Sequence, residues 1–224
     1  LFHNKRRQEN FHEIALNIRF NGTVIERLEH ANLLGLEIDE TLSFSFHIYQ
    51  LQKKLVSFIF ALKRARPLIS EQTALTLYFA YVQSRLCYMN VLWAPIPKYL
   101  MESIEIVQRK ALRIVFCKPN LSKRTELYSE KVLPVSAMCQ LSSAILVFKL
   151  INNTAKLNLP FQYVNQIHRH ATRNANNLVI QRTNTQLGAQ NFFIRALAEF
   201  NNIPVEVKKF VSINLFKTHL WCDM

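Results

Sequence analysis

Glycine and aspartate are both scarce in this sequence. Only 3 of the 224 residues are glycine, which argues against folds that bind phosphate through a glycine-rich loop. Aspartate occurs only at Asp39 and Asp223, so the paired aspartates of two-metal catalysis cannot be assembled from this chain. No spacing selects a Ser/His/Asp or Cys/His group. The residue types therefore argue against an enzyme that acts by itself.

Cysteine is also used sparingly, and the sequence contains no Cys-x-x-Cys pair. The four cysteines are far apart, at Cys87, Cys117, Cys139 and Cys222. This spacing is typical of reduced thiols in an intracellular protein, nuclear or cytoplasmic, rather than of a disulfide framework or a zinc ribbon. His168-Arg169-His170 could supply two metal ligands, but no second ligand cluster accompanies it, so we expect a solvated loop.

Long hydrophobic runs are absent as well. No stretch of about 18 apolar residues occurs, so we expect no membrane span, and the N-terminus carries no signal-peptide pattern. Half of the residues are nevertheless hydrophobic, which is enough for a substantial core. The chain opens at Leu1 in mid-pattern, which favours a fragment or a truncated reading frame.

Positive charge is abundant and unevenly distributed. The chain has 28 Lys and Arg against 15 Asp and Glu, a net charge of +13. Residues 1–70 hold 10 basic and 7 acidic side chains, whereas residues 101–224 hold 16 basic and 7 acidic ones. Such a balance favours a polyanionic partner, nucleic acid first and an anionic membrane surface second. The alternative is a basic protein without such a partner.

The first 45 residues predict a small antiparallel β unit. Apolar residues alternate with others over residues 13–20, and Asn21-Gly22 is a strong hairpin signal because both central positions of a type I′ turn need positive φ. Residues 23–28 form the returning strand. We predict a third short strand over residues 32–38, in which Gly35 permits close backbone approach.

Helical periodicity dominates the rest of the chain. The predicted helices cover residues 46–66, 70–93, 99–117, 134–152, 187–200 and 205–221, with Ser70 as one N-cap and prolines at several of the breaks. The fold class is therefore mainly α, with an N-terminal β hairpin unit, a helical bundle and a helical C-terminal region. We place these three parts at residues 1–45, 46–120 and 121–224.

Basic side chains lie on helices whose other faces are apolar. Helices of this kind can follow a duplex backbone through phosphate contacts without reading its sequence. The alternative is that these faces are only solvated. The candidate nucleic-acid-binding residues are Lys63, Arg64, Arg66, Arg109, Lys110 and Arg113.

Short motifs follow one another in a fixed order along nearly the whole chain. In the first half they are Phe2-His3-Asn4-Lys5-Arg6, Leu34-Gly35-Leu36-Glu37-Ile38-Asp39, Leu42-Ser43-Phe44 with His47-Ile48, Tyr78-Phe79-Ala80 with Leu86, Tyr88, Asn90 and Trp93, and Gln108-Arg109-Lys110-Ala111-Leu112-Arg113-Ile114. In the second half they are Thr125-Glu126-Leu127, Leu133-Pro134, Phe148-Lys149, Thr172-Arg173-Asn174 and the segment from Phe192 to Pro204.

In order and spacing this series resembles the C-terminal part of reverse transcriptases from non-LTR retrotransposons of the LINE and jockey type. Phe44 and Phe200 stand where the family more often has Trp. The resemblance implies that residues 1–45 are the end of the polymerase palm, with Leu34 and Gly35 in its primer grip. It also implies that residues 46–120 are the thumb, which holds an RNA/DNA primer-template by its backbone.

The same resemblance implies that this chain does not polymerise. The family's catalytic aspartates lie in a Tyr-x-Asp-Asp loop and an earlier strand, both upstream of Leu1, so the rest of the palm and the fingers would be the missing partners. Mg²⁺ is expected for the full enzyme and no cofactor for this chain. The alternative from another class is a non-catalytic helical interaction module, or an inert relic of a decayed mobile element. A membrane-surface helix is a weaker alternative, because the apolar faces can pair with one another.

Overall fold

The structure, a computed structural model, describes residues 18–25, 28–118, 127–128, 132–152, 154, 161–167, 174–185, 188, 191–210 and 212–222. Outside these ranges lie the predicted strand residues 13–17, the His168-Arg169-His170 segment and the motif residues 2–6, 125–126 and 172–173. The chain divides into two compact units, Leu1–Lys54 and Leu55–Met224. The predicted division into three parts, at residues 1–45, 46–120 and 121–224, stays a prediction.

The first unit contains two antiparallel hairpins. Strand β1, Arg19–Phe20, pairs with β2, Thr23–Val24. The turn residues Asn21 and Gly22 have φ of 48° and 79°, as a type I′ turn requires. This hairpin and the mainly helical fold class are confirmed.

The prediction of a single third strand over residues 32–38 was wrong. Strand β3, His30–Leu33, turns back as β4, Leu36–Asp39, in a second hairpin. Its central residues Leu34 and Gly35 have φ of 52° and 83°. A leucine in the left-handed region costs about 1 kcal/mol, which is why the pattern did not predict a turn here. The Asn32 side chain stabilises the turn by accepting a 3.0 Å hydrogen bond from the Gly35 amide.

Asp39 organises the connection from β4 to the first long helix. Its carboxylate accepts hydrogen bonds of 2.6–3.0 Å from the amides and hydroxyls of Thr41 and Ser43. Burial raises the pKa of Asp39, but these hydrogen bonds outweigh burial and leave the pKa below its usual value. The Ser43 hydroxyl lies 2.8 Å from the Ser45 hydroxyl and accepts a 3.4 Å bond from the Ser45 amide at the start of that helix.

The helices follow with bounds close to most of the predicted ones. They are α1 Ser45–Ala65, α2 Glu71–Tyr78, α3 Ser84–Cys87, α4 Asn90–Trp93, α5 Lys98–Val115, α6 Val135–Ile151, α7 Val164–Ile167, α8 Phe192–Asn201, α9 Val205–Lys208 and α10 Ile213–Cys222. Ser70 caps α2 as predicted, accepting a 3.1 Å bond from the Thr73 amide. Within the described ranges no helix is long and apolar enough to cross a membrane.

The predicted helix over residues 70–93 is interrupted twice. A π-helical turn, Phe79–Gln83, separates α2 from α3, and Met89, at φ 49°, separates α3 from α4. The buried Trp93 indole donates a 2.9 Å hydrogen bond to the Tyr88 carbonyl and so stabilises the backbone across this second interruption. Apolar periodicity does not reveal either interruption, because the buried side chains keep nearly helical spacing across both.

The predicted helix over residues 205–221 is also two helices, α9 and α10. In addition, α8 begins five residues later than predicted. Asn191 has a non-helical ψ of 127° and its side chain accepts a 2.9 Å bond from the Phe193 amide. This cap fixes the first turn of α8 at Phe192.

Helix α6 is the centre of the second unit. It packs against α3, α4, α5, α8 and α10, and its single charged residue is Lys149. Buried side chains occur all round the helix, which is typical of an element enclosed by neighbours. These are Val135, Met138, Cys139, Leu141, Ser143, Ala144, Val147, Phe148 and Leu150.

Candidate nucleic-acid interface

Arg66 joins the ends of two helices. It lies directly after α1, and its Nε donates to the carbonyls of Ile114 and Val115, at 3.2 and 3.0 Å, at the end of α5. Its Nη1 donates to the Ile69 carbonyl at 2.9 Å. The last carbonyls of a helix have no partner within the helix, so a guanidinium in this position satisfies them. Arg66 therefore holds the C-terminal ends of α1 and α5 together, and we call this arrangement the Arg66 clamp.

Replacement of Arg66 by Ala should destabilise the second unit by about 2–3 kcal/mol, because two charge-assisted hydrogen bonds are lost, the bifurcated bond from Nε and the bond from Nη1. Equilibrium denaturation in urea measures the change. The neighbouring Arg64→Ala variant is the control and should stay within about 0.5 kcal/mol of the unmodified protein, since Arg64 is exposed. Equal stabilities of the two variants would contradict the clamp.

The clamp brings other predicted cations toward one end of the bundle. Lys63 and Arg64 are exposed on the last turn of α1, and Lys110 is exposed on α5, about one turn before its end. Within the described ranges, none of the three makes an ion pair or a side-chain hydrogen bond. Cations at helix C-termini also interact favourably with the helix dipole. Their ammonium and guanidinium groups remain available for a polyanion.

Arg113 lies one turn after Arg109 on α5 and is half-buried. Its Nε is buried and has no hydrogen-bond acceptor in the part of the chain that the structure describes. A buried donor without an acceptor is unfavourable by about 1–3 kcal/mol. An anionic oxygen next to Arg113 would remove this cost.

Arg109 is occupied by a neighbouring carboxylate. Its Nη1 lies 3.5 Å from Glu105 Oε2, and the two side chains are 21% and 5% exposed. Glu105 Oε1 accepts a 2.7 Å bond from the Ser136 hydroxyl and a 3.4 Å bond from the Ser136 amide. Glu105 thereby caps the first turn of α6, where a negative charge is favourable. Arg109 contributes to the packing of α5 on α6, and its predicted phosphate contact stays a prediction.

Gln108 precedes the candidate cations Arg109 and Lys110 in the chain, but it is fully buried. Its Nε2 donates to Tyr78 Oη at 3.0 Å and to the Leu133 carbonyl at 2.9 Å, and its Oε1 accepts from Tyr128 Oη at 3.2 Å. Tyr78 Oη in turn donates to Gln83 Oε1 at 3.1 Å. Burial raises the pKa of Tyr78 well above its usual value, so this hydroxyl stays protonated as a donor. The network ties α5 to α2 and to the segment before α6.

Leu34 and Gly35 occupy the tip of the β3–β4 hairpin. The Leu34 side chain is 74% exposed, and both residues have positive φ. An exposed hairpin tip can approach a ligand closely through its backbone. Their role in a primer grip stays a prediction.

The titratable groups of the described residues were compared with what a metal ion or a reactive thiol requires. Within these ranges no three His, Cys, Asp or Glu side chains come together as metal ligands. Burial raises the pKa of Cys139 to about 12 and also raises the pKa of Cys87. Both thiols are therefore poor nucleophiles at neutral pH.

Comparisons with known proteins found no counterpart. No family model, no curated protein and no solved structure matches this chain. The resemblance of the ordered sequence motifs to reverse transcriptases stays a prediction.

Proposed function

We propose that the chain is the C-terminal part of a non-LTR retrotransposon reverse transcriptase and binds the backbone of an RNA/DNA primer-template. The observation that carries the proposal is the clamp by Arg66. It holds together the ends of two helices from which the unpaired cations Lys63, Arg64 and Lys110 project. The half-buried Arg113, with a donor that lacks an acceptor, lies on the same helix as Lys110.

Contacts of this kind bind a nucleic acid by its charge and shape. Lysine and arginine neutralise phosphates and release counterions, and phosphate contacts carry no base information. An arginine can also bind two phosphate oxygens at once through its planar fork. The proposed role is therefore to hold a duplex in place and not to select its sequence.

Several motif residues shared with the family have structural roles that support the proposal. Trp93 closes the break after Tyr88, and Gln108 connects three elements. Asn201 pairs through its side-chain amide with both the amide and the carbonyl of Leu178, at 2.8 Å each. Packing roles of this kind account for a series of weak motifs without catalytic residues among them.

The proposal assigns no chemical step to this chain. Mg²⁺ in the full enzyme would activate the primer hydroxyl and stabilise the phosphoryl transfer. Two buried carboxylates among the described residues are already engaged and so are poorly suited to such an ion, Asp39 by Thr41 and Ser43, and Glu105 by Ser136 and Arg109. Intracellular location and the missing palm and fingers as partners belong to the same proposal.

Salt dependence of duplex binding tests the proposed function. With about four phosphates neutralised, the affinity for a blunt RNA–DNA duplex should fall roughly a hundredfold between about 50 and 200 mM salt. Fluorescence anisotropy with a labelled duplex measures the affinity. Absence of binding at the lower salt concentration, or an affinity that salt does not change, would refute the proposal.

A second candidate function is a helical protein-interaction module. The observation that favours it is the pair Val56 and Phe60, which project from the same helix as Lys63 and Arg64 and are 51% and 66% exposed. Exposed apolar side chains beside cations are suited to an acidic amphipathic helix. Under this alternative the chain binds a duplex only at background affinity. Replacement of Lys63, Arg64 and Lys110 by Glu would then leave that affinity unchanged.

A further inference from the structure

A cleft of about 370 Å³ lies beside α8, and its lining includes none of the cations on α1 and α5 that define the proposed interface. One wall is formed by Phe193, Ile194 and Leu197 of α8, and the other by residues 161–162, Val179 and Gln181. Its volume falls within the range of ligand pockets in proteins, about 300–1,000 Å³.

Hydrogen bonds hold the two walls in place. The Val179 amide donates to the Gln162 carbonyl at 2.8 Å, and an antiparallel bridge joins Tyr163 to Leu178. The Asn201 side chain at the end of α8 bonds both backbone groups of Leu178. The opening between the walls is therefore fixed before any ligand arrives, which lowers the entropic cost of binding.

The lining of the cleft combines flat apolar surface with neutral hydrogen-bonding groups. Phe161 and Phe193 supply aromatic rings, and the side-chain amides of Gln162 and Gln181 each offer a donor and an acceptor. None of the lining residues in the described part of the chain is charged. A ligand that matches this lining has apolar faces, a hydrogen-bonding edge and no charge on the inserted part. A nucleobase has these properties, and unpaired bases are bound in this manner by aromatic and amide side chains.

The residue that follows the lining residue Gln181 in the chain is a cation. Arg182 is exposed and makes no ion pair with another described residue. It is therefore the candidate to bind the phosphate attached to an inserted base. A second cleft, of about 230 Å³, is lined by Glu199, whose Oε2 is buried without a hydrogen-bond partner among the described residues. That carboxylate would repel a phosphate, so of these two clefts the one at Phe193 is better suited to a polyanion.

We propose that this cleft binds one unpaired nucleobase of a single strand that extends from the duplex, with the following phosphate on Arg182. The inference rests on the proposed function for the duplex, and it adds a site specific for single strands. Stacking on aromatic side chains tolerates any base, because every base has a π-face. The C-terminal region would then guide the unpaired strand beyond the primer-template.

The test compares two probes on the full chain, a blunt RNA–DNA duplex and the same duplex with a single-stranded RNA overhang of about ten nucleotides. The overhang should raise the affinity, and Phe193→Leu should lower the affinity for the overhang probe about tenfold because the flat ring is lost. Binding of the blunt duplex should not change, which also shows that the variant folds. Phe192→Leu, next to the cleft but not lining it, is the matched control.

The outcomes separate the two proposals. If the overhang adds no affinity, or if Phe193→Leu weakens both probes equally, the cleft does not bind a base, while blunt-duplex binding still supports the proposed function. If the overhang probe binds but the blunt duplex does not, and Phe193→Leu abolishes the binding of the overhang probe, the cleft proposal holds and the duplex proposal fails. Binding of neither probe overturns both. If the cleft binds an apolar peptide and added RNA does not compete for that binding, the cleft belongs to a protein partner and the proposal of a nucleobase site is overturned.

Discussion

Simultaneous replacement of Lys63, Arg64 and Lys110 by Glu is expected to lower the affinity for an RNA–DNA duplex by at least about a hundredfold at low salt. Each replacement removes one phosphate contact and adds a repulsive charge at the duplex backbone. The dependence of log affinity on log salt should become shallower by roughly 3, about one for each cation removed. Anisotropy titrations at several salt concentrations measure both quantities.

The matched control carries the same change in net charge elsewhere on the chain. Lys98, Lys209 and Lys217 are exposed and lie outside the clamped helix ends. Their replacement by Glu should reduce the affinity only through the general field of the protein, which salt screens over about 10 Å at 0.1 M. Equal losses in the two triple variants would mean that net charge, and not the arrangement held by Arg66, binds the duplex.

Replacement of Gln108 by Leu is expected to destabilise the second unit by about 3 kcal/mol. Leucine fills a similar volume but leaves the buried Leu133 carbonyl without its Gln108 donor and the Tyr128 hydroxyl without its Gln108 acceptor. For a unit of this size the melting temperature should fall by roughly 6–12 °C. Differential scanning calorimetry measures the shift.

Two further variants test the assignment of this loss to the network. Gln72→Leu changes an exposed helical glutamine and should be within about 0.5 kcal/mol of the unmodified protein. Tyr128→Phe removes a single partner of Gln108 and should cost about 1 kcal/mol. A stability of the Gln108→Leu variant equal to that of Gln72→Leu would contradict the buried network.

Periodicity and local turn chemistry predicted much of the architecture. In α5 apolar residues recur at three- and four-residue spacing, and those on the packed face, such as Ile104 and Leu112, are buried. Asn21-Gly22 and Ser70 act as the turn and the cap that their chemistry indicates. These features depend on residues close in sequence, so the sequence pattern is sufficient to predict them.

The roles of the candidate site residues could not be predicted in the same way. Arg66 and Lys63 have the same charge and lie three residues apart, yet Arg66 bonds carbonyls 48 and 49 residues away while Lys63 is exposed. Gln108 adjoins Arg109 and Lys110, and its polarity suggested an exposed face. Its hydrogen-bond partners come from three separate segments. The sequence around a polar residue does not show whether residues distant in the chain will supply its hydrogen-bond partners.

The sequence by itself determined the helical class, the first hairpin, most helix bounds and the excess of positive charge, because these follow from local spacing and composition. The tertiary structure alone decided that Leu34 and Gly35 form a turn, that Met89 interrupts a helix, and that α6 is the central helix. It also separated the cations available to a polyanion from those that hold helices together. The physical reason is that a buried polar group must find a partner, and that partner is fixed by the folded arrangement of segments distant in sequence.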